Sequence, residues 1–319
     1  MKKAIFYLFI LLLITIPLLT SCSSNGEIEK VGMLVEHSVN DQTWGSEGYQ
    51  GLLQIKDQFN VDVYFKEGIQ TQSDVNRSVE EFVQQGVNII FGHSSIYGKY
   101  FDVIHTSYPD VQFVYFNGGY EGENLTSLNF NSNAMGFFAG MVAGKMTKTN
   151  EVGIIGAYEW QPEIEGFYEG VKYQNPDANI SMNFVNDWDN VDRALEIFSV
   201  MNEESVDVFY PAGDSFSLEV IKEIQEHNKY AIGYIIDPSD IVGATVLTST
   251  LQHVDKLYLS AAELFDKNEL SGGIFTYDFQ DDVISLGEFS PDVPDAYRKK
   301  IEQEIEAYIN TGLLPNEKD

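Results

Sequence analysis

Apolar and polar positions along this chain keep two periods in turn. Residues 30–35, 61–65, 87–91 and 111–116 are short runs rich in Val, Ile, Phe and Tyr, and each predicts a strand. Between them the apolar positions fall three and four apart, which predicts helices. Over 44–58 the helical face carries Trp44, Leu52, Ile55 and, just beyond, Phe59, while three glycines loosen the first turns. Ser73 stands where a cap belongs for a helix bearing Val75, Val79, Phe82 and Val83, which Gly86 stops. Residues 97–108 read as a further helix.

A second series repeats the alternation. Strands are expected at 152–155, 180–184, 206–210, 230–236 and 246–250. Helices are expected at 131–146, with Asn131 as cap, and at 162–173, with Pro162 in the first turn. Three more are expected at 191–202, 215–227 and 254–265. The runs 275–279 and 283–286 look like a closing pair of strands before a last helix over 294–310. Such alternation predicts an α/β fold with mainly parallel sheets flanked by helices. The number of strands favours two lobes over one sheet. The chain would pass between them near 128–133, 248–253 and 286–290. That divides it into residues 30–130 with 252–286 in one lobe and 131–251 with 287–319 in the other. A cleft between two such lobes is a natural small-molecule site.

Composition narrows the partners. The 319 residues are 44% hydrophobic and include 49 acidic against 19 basic side chains, a formal net charge of -30. A chain this acidic repels phosphate backbones, so no direct nucleic-acid contact is expected, and cationic partners are favoured over anionic ones. At the N-terminus Lys2 and Lys3 precede an apolar run over 4–19 that ends in Leu19-Thr20-Ser21-Cys22. This reads as a lipoprotein signal peptide over 1–21, with Cys22 lipidated as the first mature residue and 22–29 a polar tether. The protein would then be held by lipid on the extracytoplasmic face of the cell membrane. Cys22 is the single cysteine, so the mature chain has no disulfide.

Catalytic chemistry finds little support. The five histidines show no metal-ligand spacing, and Asp281-Asp282 and Asp187-Trp188-Asp189 do not form a calcium loop. Gly118-Gly119 and Gly272-Gly273 lack a phosphate-binding frame and read as turns. No enzyme, cofactor or metal is expected. His37 and His93 lie at carboxyl ends of expected strands and can face a cleft, with a hydrogen-bonded histidine as the plainer reading. The loop 40–51 joins Asp41 and Trp44 to free backbone N–H groups at the end of the first strand, where open α/β sheets bind ligands. An ordinary helix start, with Asp41 as cap and Trp44 in the core, stays open beside it. Tyr97, Tyr115, Phe116, Tyr158, Trp160, Tyr210 and Phe216 fall mostly near strand ends, where several could stack a flat ligand or simply pack the core.

Several stretches together resemble one family. They are the lipoprotein start, Asp41-Gln42-Thr43-Trp44 with Gly51, the run from Asn133 to Ala143, and Lys148-Thr149-Asn150-Glu151-Val152-Gly153-Ile154-Ile155-Gly156. Pro211-Ala212-Gly213-Asp214, Ala231-Ile232-Gly233 and Val246-Leu247-Thr248-Ser249 follow in the family's order. The chain is similar in this way to the basic membrane lipoproteins, solute-binding proteins whose characterised relatives bind purine nucleosides for import. The resemblance implies a type I periplasmic-binding-protein fold with three crossings and a ligand between the lobes. Within the family, Glu159-Trp160-Gln161-Pro162-Glu163, Tyr210-Pro211-Ala212-Gly213-Asp214 and Tyr277-Asp278-Phe279-Gln280-Asp281 look closest to a subgroup of membrane-associated positive regulators of competence in bacilli.

By strand-end position and by that resemblance together, the ligand-binding candidates are Asp41, Trp44, His93, Asn117, Trp160, Asp214, Asp237 and Gln252. The sequence departs from the importers at four of the usual positions. Asn117 stands for a carboxylate, Ile235 for the aspartate that grips ribose, Gln252 for a lysine and Gly45 for an asparagine. Asp237 is the candidate substitute for the lost aspartate. Two functions follow as expectations: a regulator that closes on a nucleoside-like solute, or a regulatory protein whose cleft has lost its ligand. An importer subunit is the third. A permease or a sensor would be the membrane partner.

Overall fold

The computed structural model describes residues 27–40 and 43–318. Cys22, the expected leader over 1–21 and Asp41 lie outside that range. Two six-stranded sheets carry the fold, each covered by helices on both faces. The first sheet runs β11-β5-β4-β3-β1-β2, from β1 (Lys30–Leu34), β2 (Asp62–Lys66), β3 (Ile89–Gly92), β4 (Gln112–Phe116), β5 (Leu125–Phe130) and β11 (Gly273–Tyr277), and every pairing in it is parallel. The second runs β12-β10-β9-β8-β6-β7. Its strands are β6 (Glu151–Gly156), β7 (Asn179–Phe184), β8 (Val208–Ala212), β9 (Tyr230–Ile235), β10 (Val246–Gln252) and β12 (Ile284–Leu286), and β12 alone is antiparallel to its neighbour.

Helices α1 (Trp44–Phe59), α2 (Gln72–Gln84), α3 (Ile96–Ile104) and α9 (Val254–Asp266) attend the first sheet. Helices α4 (Ser132–Met146), α5 (Pro162–Gln174), α6 (Val191–Glu203), α7 (Asp214–Glu226), the short α8 (Ser239–Val242) and α10 (Asp295–Thr311) attend the second. Strands β1, β3 and β4 have hardly a residue in contact with solvent, as parallel strands covered on both faces must. This is the type I periplasmic-binding-protein fold, with its three crossings between lobes.

Three expectations need correction. Residues 125–130, given no strand by periodicity and placed partly in the first crossing (128–133), form β5, a buried strand whose Thr126 and Ser127 are fully enclosed. The hydroxyls hid its strand character, but Thr126 Oγ1 is satisfied by donating to the Ser271 carbonyl and accepting from Gln112. The expected closing pair does not form either: β11 joins the first sheet beside β5 and β12 joins the second beside β10. The third crossing therefore lies between Tyr277 and Ile284, not at 286–290, and residues 284–286 belong with the second lobe. Gln252, the last residue of β10, belongs there too. Lastly, Thr71 rather than Ser73 caps α2, its hydroxyl accepting from the Asp74 N–H.

The α4–α5 pair explains why α4 is apolar all round. Gly136 and Gly140 on α4 face the backbone of Glu163 and Phe167, while Gly166 and Gly170 on α5 face the backbone of Asn133 and Phe137. A Cβ at Gly170 would stand 1.9 Å from the Phe137 oxygen. Only glycines permit this approach, and α4 is sandwiched between α5 and the second sheet.

Candidate functional site

A cavity of about 660 Å³ lies between the lobes, at the carboxyl ends of the strands of both sheets. In each sheet the strand order reverses beside the first strand of the lobe, β1 or β6, and the cavity opens at those reversals. The first lobe contributes the residues after β1 (Val35–Ser38), after β3 (His93–Ile96) and after β4 (Asn117, Gly118), with Trp44 from the start of α1. The second contributes Tyr158 and Trp160–Glu163 after β6, Asp187–Asp189 after β7, Asp214 at the start of α7, and Tyr234, Ile235 and Gln252. Pro211 ends the β8–β9 ladder early: the pairing stops at Phe209↔Ala231, because proline has no N–H to continue it.

Trp44 and His93 form one rigid unit. Their rings stack at 4.8 Å with an interplanar angle of 17°. The Trp44 indole N–H donates to the His93 carbonyl at 3.2 Å, and His93 Nε2 donates to the Trp44 carbonyl at 2.6 Å. A carbonyl only accepts, so Nε2 carries the proton and Nδ1 accepts from the Tyr258 hydroxyl at 2.9 Å. Burial depresses the His93 pKa from 6.5 to about 4, partly offset by the bond to Trp44, so the ring is neutral at ordinary pH. A Cβ on Gly48 would lie 2.3 Å from the His93 ring, which is why the first turns of α1 carry glycine. His93 thus positions the indole.

Across the cleft Trp160 is 61% exposed and stacks on Tyr158 at 5.3 Å, with Trp188 edge-on to both. Glu163 is buried on the cavity wall, its carboxyl oxygen accepting from the Gln161 amide at 2.9 Å and the Tyr234 hydroxyl at 3.2 Å. Burial pushes its pKa up, and these hydrogen bonds oppose the rise. Gln252 and Ser132 are nine-tenths buried on the same wall, and among the described residues neither side chain has a hydrogen-bond partner. Their polar atoms open onto the cavity, where a ligand can hydrogen-bond to them. At the mouth, His37 Nδ1 of the first lobe stands 4.0 Å from Asp189 Oδ2 of the second.

Of the sequence candidates, Trp44, His93, Asn117, Trp160, Asp214 and Gln252 converge on this cavity. Asp237 does not. Its carboxylate accepts from the Ser239 and Glu288 N–H groups and from the Ser249 hydroxyl, so it braces the loops behind β9 instead of replacing the lost aspartate. Asn117 has a left-handed backbone (φ 56°) and its side-chain oxygen accepts from the Phe130 N–H at 3.3 Å. Ile235 also has positive φ (64°), a conformation that suits Asp, Asn or Gly and strains a β-branched residue. The backbone there still takes the shape an aspartate tolerates, while the side chain is apolar. Of the aromatics, Tyr97, Tyr115, Phe116, Tyr210 and Phe216 are core. Sequence reasoning missed Glu163, Tyr234 and Ser132. A carboxylate two residues into a helix after β6 was a usable signal for the first; the other two depend on how the lobes meet.

Among the described residues no group of three or more His, Cys, Asp or Glu is arranged to hold a metal, and no helix is long and apolar enough to cross a membrane. Comparison with known proteins agrees with the geometry. Residues 28–318 match the Bmp family, described as "ABC transporter substrate-binding protein PnrA-like". The transcriptional activator protein med of Bacillus subtilis is 44% identical, over 93% of this chain and 95% of its own. A crystal structure of a transcriptional activator of the comK gene from Bacillus halodurans superposes with a TM-score of 0.84 at 47% identity, covering 90% of this chain and 99% of that one. A purine-binding protein of Brucella abortus is 24% identical, over 80% of this chain and 72% of its own.

Proposed function

Because this chain belongs to the Bmp family of PnrA-like ABC transporter substrate-binding proteins, we propose that it closes its two lobes on a small, flat, nucleoside-like solute and acts as a regulator outside the cell. The observation that carries the reading is the pair of buried, unpartnered side chains, Gln252 and Ser132, on the wall of the interlobe cavity. In this reading the base stacks on the Trp44 indole, which His93 holds in place, and Asp41 and Asp214 accept hydrogen bonds from the solute. Purine-binding and activator relatives support the two halves of the proposal separately. Lipidation at Cys22 holds the protein to the extracytoplasmic face. From there it cannot touch DNA, so any effect on competence or transcription passes through a membrane partner, a sensor or a permease. Import by an ABC transporter is the second reading, favoured by the family description.

Thermal-shift screening of the purified protein against nucleosides and free bases tests this directly. A ligand present at about a hundred times its Kd adds about 2.7 kcal/mol to stability, a readable rise in Tm. No stabilisation by any of them at roughly millimolar concentration sinks the reading, since at that level even a weak site is occupied.

A further inference from the structure

The cavity wall has a one-sided charge. Glu36, Glu163, Asp187, Asp189 and Asp214 line it, and among the described residues no lysine or arginine does. We propose that the cleft selects a cation: an organic ligand bearing a protonated or alkylated nitrogen, its charge toward Glu163 and its body against the indoles of Trp44 and Trp160. This rests on the reading of the cleft as a ligand site.

Three independent features converge on it. Glu163 is 4% exposed, and the side chains donating to its carboxyl, the Gln161 amide and the Tyr234 hydroxyl, are neutral. The titratable groups nearest it, Tyr210 and Tyr234, bring no positive charge. Burial without a counter-charge disfavours the ionised form of this carboxyl, and a ligand cation beside it favours that form. Secondly, Gln252 offers an unpaired amide whose carbonyl can accept from an N–H of such a ligand. Thirdly, the exposed Trp160 and the half-buried Trp44 present ring faces, which attract cations through their quadrupoles. A net charge of -30 over the whole chain adds long-range attraction of the same sign. A phosphorylated ligand meets repulsion from the carboxylates that line the cavity.

Calorimetric titration with a matched series separates the charge from the shape: adenosine, its cationic analogue 1-methyladenosine, and adenosine monophosphate, with choline and spermidine as cations lacking a base. The expected result is that 1-methyladenosine binds about tenfold or more tightly than adenosine and the monophosphate does not bind. In Glu163→Gln, and separately in the exposed-site variant Asp187→Asn, that preference should shrink to within about threefold, as should the preference of the unmodified protein at high salt. Adenosine binding as well as or better than its cationic analogue overturns the charge selection and leaves the solute-binding reading standing. Choline or spermidine binding where neither nucleoside does upholds the cation and removes the nucleoside. Silence from the whole series removes both.

Discussion

At the scale of single residues, the site is built by pairs that hold one another. His93 spends both ring nitrogens on Trp44 and Tyr258, so it is fully committed before any ligand arrives. That commitment has a pH signature. Its folded pKa, about 4, lies below the ordinary 6.5, so the unfolded chain binds the proton first as pH falls. The stability His93 contributes is complete above 6.5 and is lost as pH drops toward 4, a total of about 3 kcal/mol. Denaturant melts across that window should show this loss in the native protein and a flatter profile in His93→Gln, which keeps a neutral donor and acceptor. Identical slopes would mean that other groups govern the acid limb. Ile235 illustrates the opposite case: its left-handed backbone is a cost of about 1–2 kcal/mol that no local contact explains.

At the scale of elements, the α4–α5 contact links the core to the cleft. The α5 start carries Gln161, Pro162 and Glu163 into the cavity, and α4 leaves the first crossing at Ser132, so both helices reach the site from one glycine-lined seam. Gly170→Ala puts a methyl 1.9 Å from the Phe137 oxygen. The helices must then part, and an overpacked seam of this kind loses about 3 kcal/mol. Thermal or urea unfolding of Gly170→Ala measures the loss, and ligand affinity should fall with it, because Glu163 moves with α5. A variant as stable as the parent would show that the seam can open without cost. The alternation of strand and helix was plain along the chain, but this seam was not. Glycines spaced four apart in a helix read as weak helix formers until the partner helix is in place.

At the scale of the molecule, the three crossings are tied together. Asn131 in the first donates its amide to Asp278 in the third at 2.6 Å and to the Tyr308 hydroxyl at 2.9 Å, while its N–H donates to the Tyr277 carbonyl. Tyr308 of α10 donates to the same Asp278 carboxylate, so the C-terminal helix pins the hinge. In the second crossing the His253 N–H donates to Val283, which closes the set. Removing a hydrogen bond to a charged group costs about 1.5–3 kcal/mol. Tyr308→Phe should therefore speed amide hydrogen exchange at 131–133 and 278–283 and leave the strands of both sheets unchanged. Exchange that rises uniformly would show that α10 braces the second lobe rather than the hinge.

Sequence alone determined the class of fold, the two-lobe plan and most of the strands and helices, because burial on both faces of a parallel sheet writes itself into runs of apolar residues. It also singled out Trp44, His93, Asn117, Trp160, Asp214 and Gln252, by strand-end position or family likeness, and all six line the interlobe cavity. Tertiary structure alone decided the rest. It moved Asp237 out of the site, since three local donors claim its carboxylate. It separated β11 from β12, because pairing partners far apart in the chain compete with the neighbour in sequence and periodicity does not record which wins. And it gathered five carboxyl groups from both lobes around one cavity with no lysine or arginine among its described lining residues, a charge pattern that exists only once the lobes face each other.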